Sequence, residues 1–571
     1  MIRTGVMSIC TGKRTPKRAG LFLALLLTAF INSGGNSVYA QTDKEEVIFR
    51  AMADELQRNR DSLRLDGQEA PFFIQYVVKK GVIFQAQATL GALTGVNEFP
   101  LGSIFVQTLV GNYQMSNLNH TSSDYFTGSS DTAPLDDDYE EIRRRLWLLT
   151  DDAYKRAIEA YSTKMAAVKR QNLPHDVLEL PDFTPLPETI YRGEARAVNF
   201  EQTHWKQMAK DCSAVFASCP QIYGSNVGIE VYSGNIYSLN SEGIQMKHPV
   251  RMVAVAVNAY TKLPDGEEIS DRLSYYGWYG NDLPAVELIL DDITRMADRM
   301  TALTNAPAVE ESYTGPVMLE GPVVASVMAS GLLAQQTGLT AYRAPIRSGG
   351  VQRSMEDRIN RKILSSDMVV KSVPHVQQYN GNRLIGAYET DAEGITPKEL
   401  LLVENGMLRA LLNDRVPKRK TQMPTGNRVY TYQPQSIGSW VSPGVLSIQS
   451  VQGFSRETLK QKLLDAAKDE GLEYAYIIRS LPNGRNDYLY KVQVSDGNEM
   501  LVHAGSVLDV GLSRLKRSLG ASSDNEAVNM IVGNAPLSVI YPEAMVIEEV
   551  DIEKRNLQNT TKLPTVSNPL E

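Results

Sequence analysis

The chain has 571 residues, with 58 Lys and Arg against 66 Asp and Glu, for a formal net charge of −8. At roughly 150 residues per domain, that length implies several domains and ample core. The acidic balance argues against a phosphate-backbone partner, so no nucleic acid is expected, and three cysteines are too few for a disulfide scaffold.

Near the N-terminus, Lys13, Arg14, Lys17 and Arg18 precede an apolar run over residues 19–31, and Val38, Tyr39 and Ala40 follow as a small-residue cleavage site. This is the order of a cleavable signal peptide, expected over residues 1–40, with export to the periplasm or the extracellular space. About thirteen apolar residues are too few to span a bilayer. No later stretch is longer and apolar enough, so no transmembrane segment is expected. Cys212 and Cys219 remain after cleavage. Seven residues along a helix is about 10 Å, which favours two free thiols over one local bridge.

Apolar residues near a 3.6 period predict a helix over 45–65. Residues 71–90 are β-rich, read as two runs with Lys80-Gly81 as a turn, and 103–115 form a third strand. Residues 117–138 are polar and read as a loop. Its Asp136-Asp137-Asp138 run lacks the spacing and glycine of a calcium loop and is a solvated face. A long helix follows over 138–169, with acids at its start, bases toward its end, and a packing stripe through Ile142, Leu146, Leu149 and Ala153. Pro174, Pro181, Pro185 and Pro187 mark a linker. A helix is predicted over 200–217, then strands over 228–232, 235–240 and 250–260 with turns at Gly234, Gly243 and Gly266, and an amphipathic helix over 283–303. After a linker at 305–311 come a strand at 316–319 and a helix over 323–335 opened by Pro322. The remainder is mostly β: 368–373, 386–388, 399–403, 408–412, 444–450, 474–479, 488–494, 499–502 and 544–550. Asn405-Gly406 is a hairpin signal, and one helix interrupts at 456–470.

The chemistry is bounded by absences. The six histidines are His120, His175, His204, His248, His375 and His503, and no two are closer than 29 positions. A helical zinc site needs two on one face, three or four apart. No Gly-x-Ser-x-Gly elbow is present, and Ser348-Gly349-Gly350 lacks the lysine and serine of a phosphate loop. Aspartate and glutamate are abundant, so an acidic catalytic pair stays open.

The C-terminal third carries a specific pattern. Asp391-Ala392-Glu393-Gly394-Ile395 is followed by Leu402-Val403-Glu404-Asn405-Gly406-Met407-Leu408, then Thr425-Gly426-Asn427, Val532-Gly533-Asn534 and Ser538-Val539-Ile540 with Pro542. This resembles the C-terminal domain of the TldD/PmbA proteins, whose Asp-Asp-Glu-Gly turn carries Ala392 here in place of its second acid. Asn240-Ser241-Glu242-Gly243 and the run after it are similar to the family's middle domain, and the helix around Trp147 and Tyr154 resembles an insertion of exported relatives. Catalytic members of that family are metallopeptidases with His-Glu-x-x-x-His and a later cysteine, the glutamate acting as base on a metal-bound water. Laid on that motif, Glu320 stands for the first histidine, Gly321 for the glutamate and Ala325 for the second histidine, and no cysteine follows Cys219.

The resemblance implies an α+β fold: N-terminal and middle α+β domains (41–190, with the long helical insertion, and 191–312), a β-rich C-terminal domain (313–556) and a flexible tail (557–571). No catalytic residue or metal ligand is assigned, and no cofactor is expected. The pattern is similar to the PmbA-type partner, implying a homo- or hetero-oligomer with a zinc-bearing TldD-type homologue, which together hold unfolded or extended peptides as an added strand. The turns at Asp391, Glu393, Gly394 and at Thr425, Gly426, Asn427 are candidates to line its cavity, or are structural turns. Two other readings stand beside this one: an active metallopeptidase with an altered metal site using Glu320, and a peptide-binding or scaffold protein without a protease partner.

Overall fold

The structure is a computed structural model. It describes residues 32–121, 128–170, 175–194, 200–263, 266–334, 338–348, 354–484, 486–503, 505–507 and 510–554, with no side chains at 32–45 or 176. The basic and apolar part of the expected leader, Gly349 and Gly350, and the expected tail lie outside the described residues.

The first helix, α1 (Asn32–Ser62), runs through Val38–Ala40 and packs Ile48, Met52 and Leu56 inward. Seven strands then make one sheet: β1 (Phe73–Thr89), β2 (Ala92–Leu109), β3 (Ser129–Thr132), β4 (Thr189–Arg192), β5 (Ile222–Asn240), β6 (Ile244–Lys262) and β7 (Glu268–Gly277). The order is β3-β2-β1-β5-β6-β4, with β7 also on β6. Strands from residues 41–190 and from 191–312 thus share one hydrogen-bonded layer. One face carries α1 and α2 (Tyr139–Arg170), whose buried Ile142, Leu146 and Ala153 meet Tyr76 and Ile104. After the short α3 (His175–Glu179), α4 (Gln202–Ala214) and α5 (Val286–Asn305) cover a second apolar patch. Cys212 is buried there, Cys219 is half-buried, and both are free thiols.

Two expected turns are strand interiors. Gly81 and Gly234 sit opposite each other in continuous β1 and β5. A Cβ on Gly234 would come within 2.3 Å of the Lys80 carbonyl oxygen, and one on Gly81 within 2.7 Å of the Tyr232 hydroxyl. Here glycine lets two backbones approach and the Tyr232 ring lie across them.

The C-terminal domain opens with β8 (Tyr313–Glu320) and α6 (Pro322–Leu332). Its further strands are β9 (Met368–Ser372), the small hairpin β10 (Gln378–Tyr379) and β11 (Asn382–Arg383), β12 (Leu400–Glu404), β13 (Met407–Leu408), and the pair β14 (Arg428–Tyr430) and β15 (Ser439–Val441). Then come β16 (Val445–Ser450), α7 (Arg456–Asp469), β17 (Tyr474–Ser480), β18 (Asp487–Gln493), β19 (Glu499–Val502), β20 (Gly505–Val507), α8 (Leu512–Leu515), β21 (Ser518–Ala521), β22 (Asn525–Val532), β23 (Ala535–Pro542) and β24 (Ala544–Lys554). They form a six-stranded sheet, β13-β12-β9-β16-β23-β22, and a seven-stranded sheet, β19-β18-β17-β8-β24-β20 with β21 on β24. α6 lies in the core between them, among Val317, Leu319, Ile478 and Leu537. The expected strand at 386–388 is a turn, because Gly386 lies against the Gly444 carbonyl, where a Cβ would come within 1.9 Å. The α+β architecture with a strand-rich C-terminal domain is as the sequence implied.

Candidate functional site

The junction from β8 to α6 is built from the centre of a sheet. β8 runs parallel to β17 and antiparallel to β24, so Glu320 is in register with Arg479 on one side and Ala544 on the other. At this point the chain must turn sharply into a helix. Gly321 takes φ of +80°, a conformation open to glycine at little cost, and Pro322 supplies a φ already suited to the first helical turn. Gly321 has no side chain to cap the helix. The Ser480 hydroxyl does so instead, accepting the Val323 N–H at 2.7 Å, while the Gly321 N–H donates to the Glu543 carbonyl at 2.8 Å.

Glu320, Gly321 and Ala325 do not converge on one point. Ala325 is fully buried in the C-terminal core. Glu320 points to the opposite side of the junction, where Arg456 of α7 pairs with Oε1 at 2.8 Å and Arg479 pairs with Oε2. Arg479 also reaches Glu499 at 2.6 Å, and Lys460 closes the chain on Glu499 at 2.7 Å. Burial works against the Arg479 charge, yet Glu499 and Glu320 together raise its pKa. For Glu499, burial is likewise outweighed by Arg479 and Lys460, which pull its pKa down to about 2. A zinc ion needs several neutral or anionic donors around one centre. A carboxylate between two guanidiniums, a glycine and a core alanine do not provide them. Among the described residues no group of three or more His, Cys, Asp or Glu could hold a metal ion.

The outer face of α6 borders a groove of about 470 Å³. Pro322, Ser326, Ser330 and Leu333 follow one another at helical spacing along it, and Ser326 and Ser330 are exposed. Opposite lie Val528, Met530 and Val532 of β22. Among the described residues β22 pairs only with β23, so its other edge is an unpaired strand edge at the groove. Tyr276 of β7 and Asn483 close the end, and the Asn529 amide fixes β22 by donating to the carbonyls of Tyr276 at 3.3 Å and Arg383 at 2.8 Å.

The two candidate turns are brought together against the first sheet. Asp391 Oδ1 accepts the N–H groups of Glu393 and Ile395, each at 2.9 Å, and Oδ2 accepts that of Arg428 at 3.2 Å. Burial and the adjacent Glu393 push the Asp391 pKa up. Glu393 accepts the Arg415 N–H at 3.2 Å, and Gly394 (φ +87°) packs on Ile244 and Met246 of β6. Thr425 exchanges hydrogen bonds with Asn413, Gly426 rests on Ile395 and Pro397, and the Asn427 amide donates to Ser372 and Tyr388 hydroxyls. Of these residues Asp391 borders a cavity, a second one of about 720 Å³. Ser326, Ser330 and β22 were not singled out in sequence. Gly533-Asn534, both at positive φ between two apolar runs, is the hairpin signal that could have found β22.

Comparison with known proteins bears on these elements. Residues 313–460 match the family described as PmbA/TldA metallopeptidase C-terminal domain. A protein of Methanothermobacter thermautotrophicus named "Metalloprotease" is 31% identical over 102 residues, which are 17% of this chain and 21% of that protein. The chain therefore spans about a fifth of that relative's length. Three solved structures share the fold. A candidate DNA gyrase modulator of Thermotoga maritima has a TM-score of 0.52 at 13% identity, covering 84% of this chain and 96% of its own. One of Bacteroides thetaiotaomicron has 0.53 at 14%, covering 89% and 98%. TldE of Thermococcus kodakarensis has 0.50 at 12%, covering 88% and 100%.

Proposed function

From the premise that this chain belongs to the TldD/PmbA family, we propose that it is a non-catalytic, peptide-binding subunit of an exported peptidase. The observation that carries the reading is the Glu320 carboxylate clamped by Arg456 and Arg479 where catalytic members carry a metal-binding histidine. Guanidiniums at that point repel a divalent cation and occupy the Glu320 carboxylate, while Glu499 is held by Arg479 and Lys460. The groove beside it keeps what peptide binding needs: a strand edge and a smooth helical wall. An extended peptide adds to β22 through backbone hydrogen bonds, which recognise unfolded chain with little regard to side chains. Cleavage is supplied by a second subunit carrying His-Glu-x-x-x-His, and the basic-apolar-small order of residues 1–40 directs the chain across a membrane.

The test is co-expression of the mature chain with such a homologue, followed by size-exclusion chromatography, metal analysis and an assay on unfolded polypeptide. A mixed oligomer is expected, with zinc and cleavage traceable to the partner. Chelator-sensitive cleavage by this chain alone would reject the reading in favour of an active peptidase with an altered site. Peptide binding by the chain alone, with no mixed oligomer formed, would support a scaffold without a protease partner.

A further inference from the structure

The larger cavity lies away from the α6 groove, between β4, β6 and the end of β7 on one side and the 383–392 and 429–432 segments on the other. Its walls are rich in flat rings. His248 stands between Tyr191 and Tyr430, with ring centroids 5.1 and 5.3 Å away. Trp278 is fixed as a platform because its indole N–H donates to the Ile385 carbonyl at 3.2 Å. The Arg383 guanidinium lies on that indole, 4.5 Å from the ring centroid.

Two polar groups in this wall are unsatisfied. Arg383 Nε is buried without an acceptor, and among the described residues Arg383 makes no ion pair. His248 Nε2 is likewise buried without a partner. Of the acids nearby, Glu389 accepts from the Tyr191 hydroxyl at 3.3 Å and both Asp391 oxygens accept backbone N–H groups, while Glu194 is exposed at the rim. A buried donor without an acceptor costs free energy that a bound ligand recovers. A guanidinium fork suits a carboxylate, and the surrounding rings suit an aromatic body. At about 720 Å³ the cavity falls within the roughly 300–1,000 Å³ range of small-ligand sites.

We propose that this cavity binds an aromatic carboxylate, either free or as the C-terminal residue of a peptide, with Arg383 on the carboxylate and the Trp278, Tyr191 and Tyr430 rings around the aromatic group. Both sources share this chemistry, and the site is independent of strand addition at β22.

Isothermal titration calorimetry tests it, using N-acetyl-L-tryptophan, its amide, and a hexapeptide ending in phenylalanine as free acid and as amide. The acids bind and the amides bind at least about tenfold more weakly, the loss expected of one charge-assisted contact. Arg383→Gln removes the preference for acid over amide, and Arg383→Lys, which keeps charge without the planar fork, lies between. Binding of the peptide acid alone assigns the site to peptide termini, and equal binding of N-acetyl-L-tryptophan assigns it to small free acids. Equal affinity for acid and amide, indifference to Arg383→Gln in a folded variant, or no binding of any probe overturns the proposal. N-acetyl-L-tryptophan is too short to add a strand, so its binding reads the cavity whatever the groove does.

Discussion

Single residues decide whether the β8–α6 junction can hold a metal. Installing His-Glu-x-x-x-His as Glu320→His, Gly321→Glu and Ala325→His is expected to create no zinc site here. A glutamate at φ +80° is strained, and a histidine at 325 enters a filled core. The triple variant is expected to lose several kcal/mol, about 3 or more, and to carry no stoichiometric zinc, as read by denaturant titration and metal analysis. His248 makes a different prediction. Burial lowers its pKa from 6.5 to about 4, so the unfolded chain takes up a proton at a higher pH than the folded one does. The stability it contributes is present above pH 6.5 and is lost as pH falls from 6.5 toward 4, at about 1.4 kcal/mol per pH unit. His248→Gln flattens this part of the Tm-against-pH curve; an unchanged slope would show that the imidazole is not the titrating group. Asp271 has the opposite sign. Burial raises its pKa to about 6, so its contribution is present below pH 3.8 and lost as pH rises through 6. Asp271→Asn therefore raises Tm at pH 8 relative to pH 4, provided the Tyr488 hydroxyl keeps the amide oxygen as its acceptor.

At the scale of elements, the proposed peptide site joins the α6 face to the β22 edge. Ser326→Trp on the exposed face fills the groove without entering the core, so extended-peptide affinity falls about tenfold or more while Tm moves little. Fluorescence anisotropy of a labelled unfolded peptide measures it, and an unaffected affinity would place peptide binding elsewhere. Gly234→Ala tests the glycine crossing of β1 and β5: a Cβ meeting backbone at 2.3 Å costs about 2 kcal/mol or more in urea unfolding. Amphipathic helices were legible because their periodicity is local, and α2, α4, α5 and α7 came out within a few residues of expectation. Gly81 and Gly234 misled because a glycine at a turn and a glycine under a crossing ring look alike in sequence. The strands β22 and β23 were passed over because residues 525–532 alternate weakly, with Asn525 and Asn529 among the apolar positions. Asn529 is there to tie two sheets together, a role visible only once both are in place.

Across the whole molecule, buried charge joins the N-terminal part to the C-terminal domain. Arg415 reaches from the C-terminal domain to Glu242 at 2.7 Å with Phe183 under its guanidinium at 3.9 Å. Asp182 holds Lys164 of α2 and Arg343, the latter at 3.2 Å, with all three side chains buried. Removing one member strands the others, so Asp182→Asn is expected to cost about 3–5 kcal/mol. Differential scanning calorimetry of that variant should show a lowered or split transition. The sequence showed the C-terminal turns through family resemblance, yet their contacts with β6 depend on pairs more than a hundred residues apart. The aromatic cavity was equally hidden, since one wall comes from the first sheet and the other from C-terminal segments far along the chain.

The Arg456–Glu320–Arg479 clamp also bears on how the site could change over generations. A histidine at 320 alone would remove the shared carboxylate, leaving Arg479 with Glu499 and the exposed Arg456 without its partner at this junction. Loss of either arginine would still leave the Glu320 carboxylate paired with the other. A first substitution toward a metal centre at 320 therefore costs ion pairs and supplies only one ligand. The clamp thus makes the junction hard to turn into a metal site by single substitutions, while the groove beside it, which uses none of these three side chains, is free to vary.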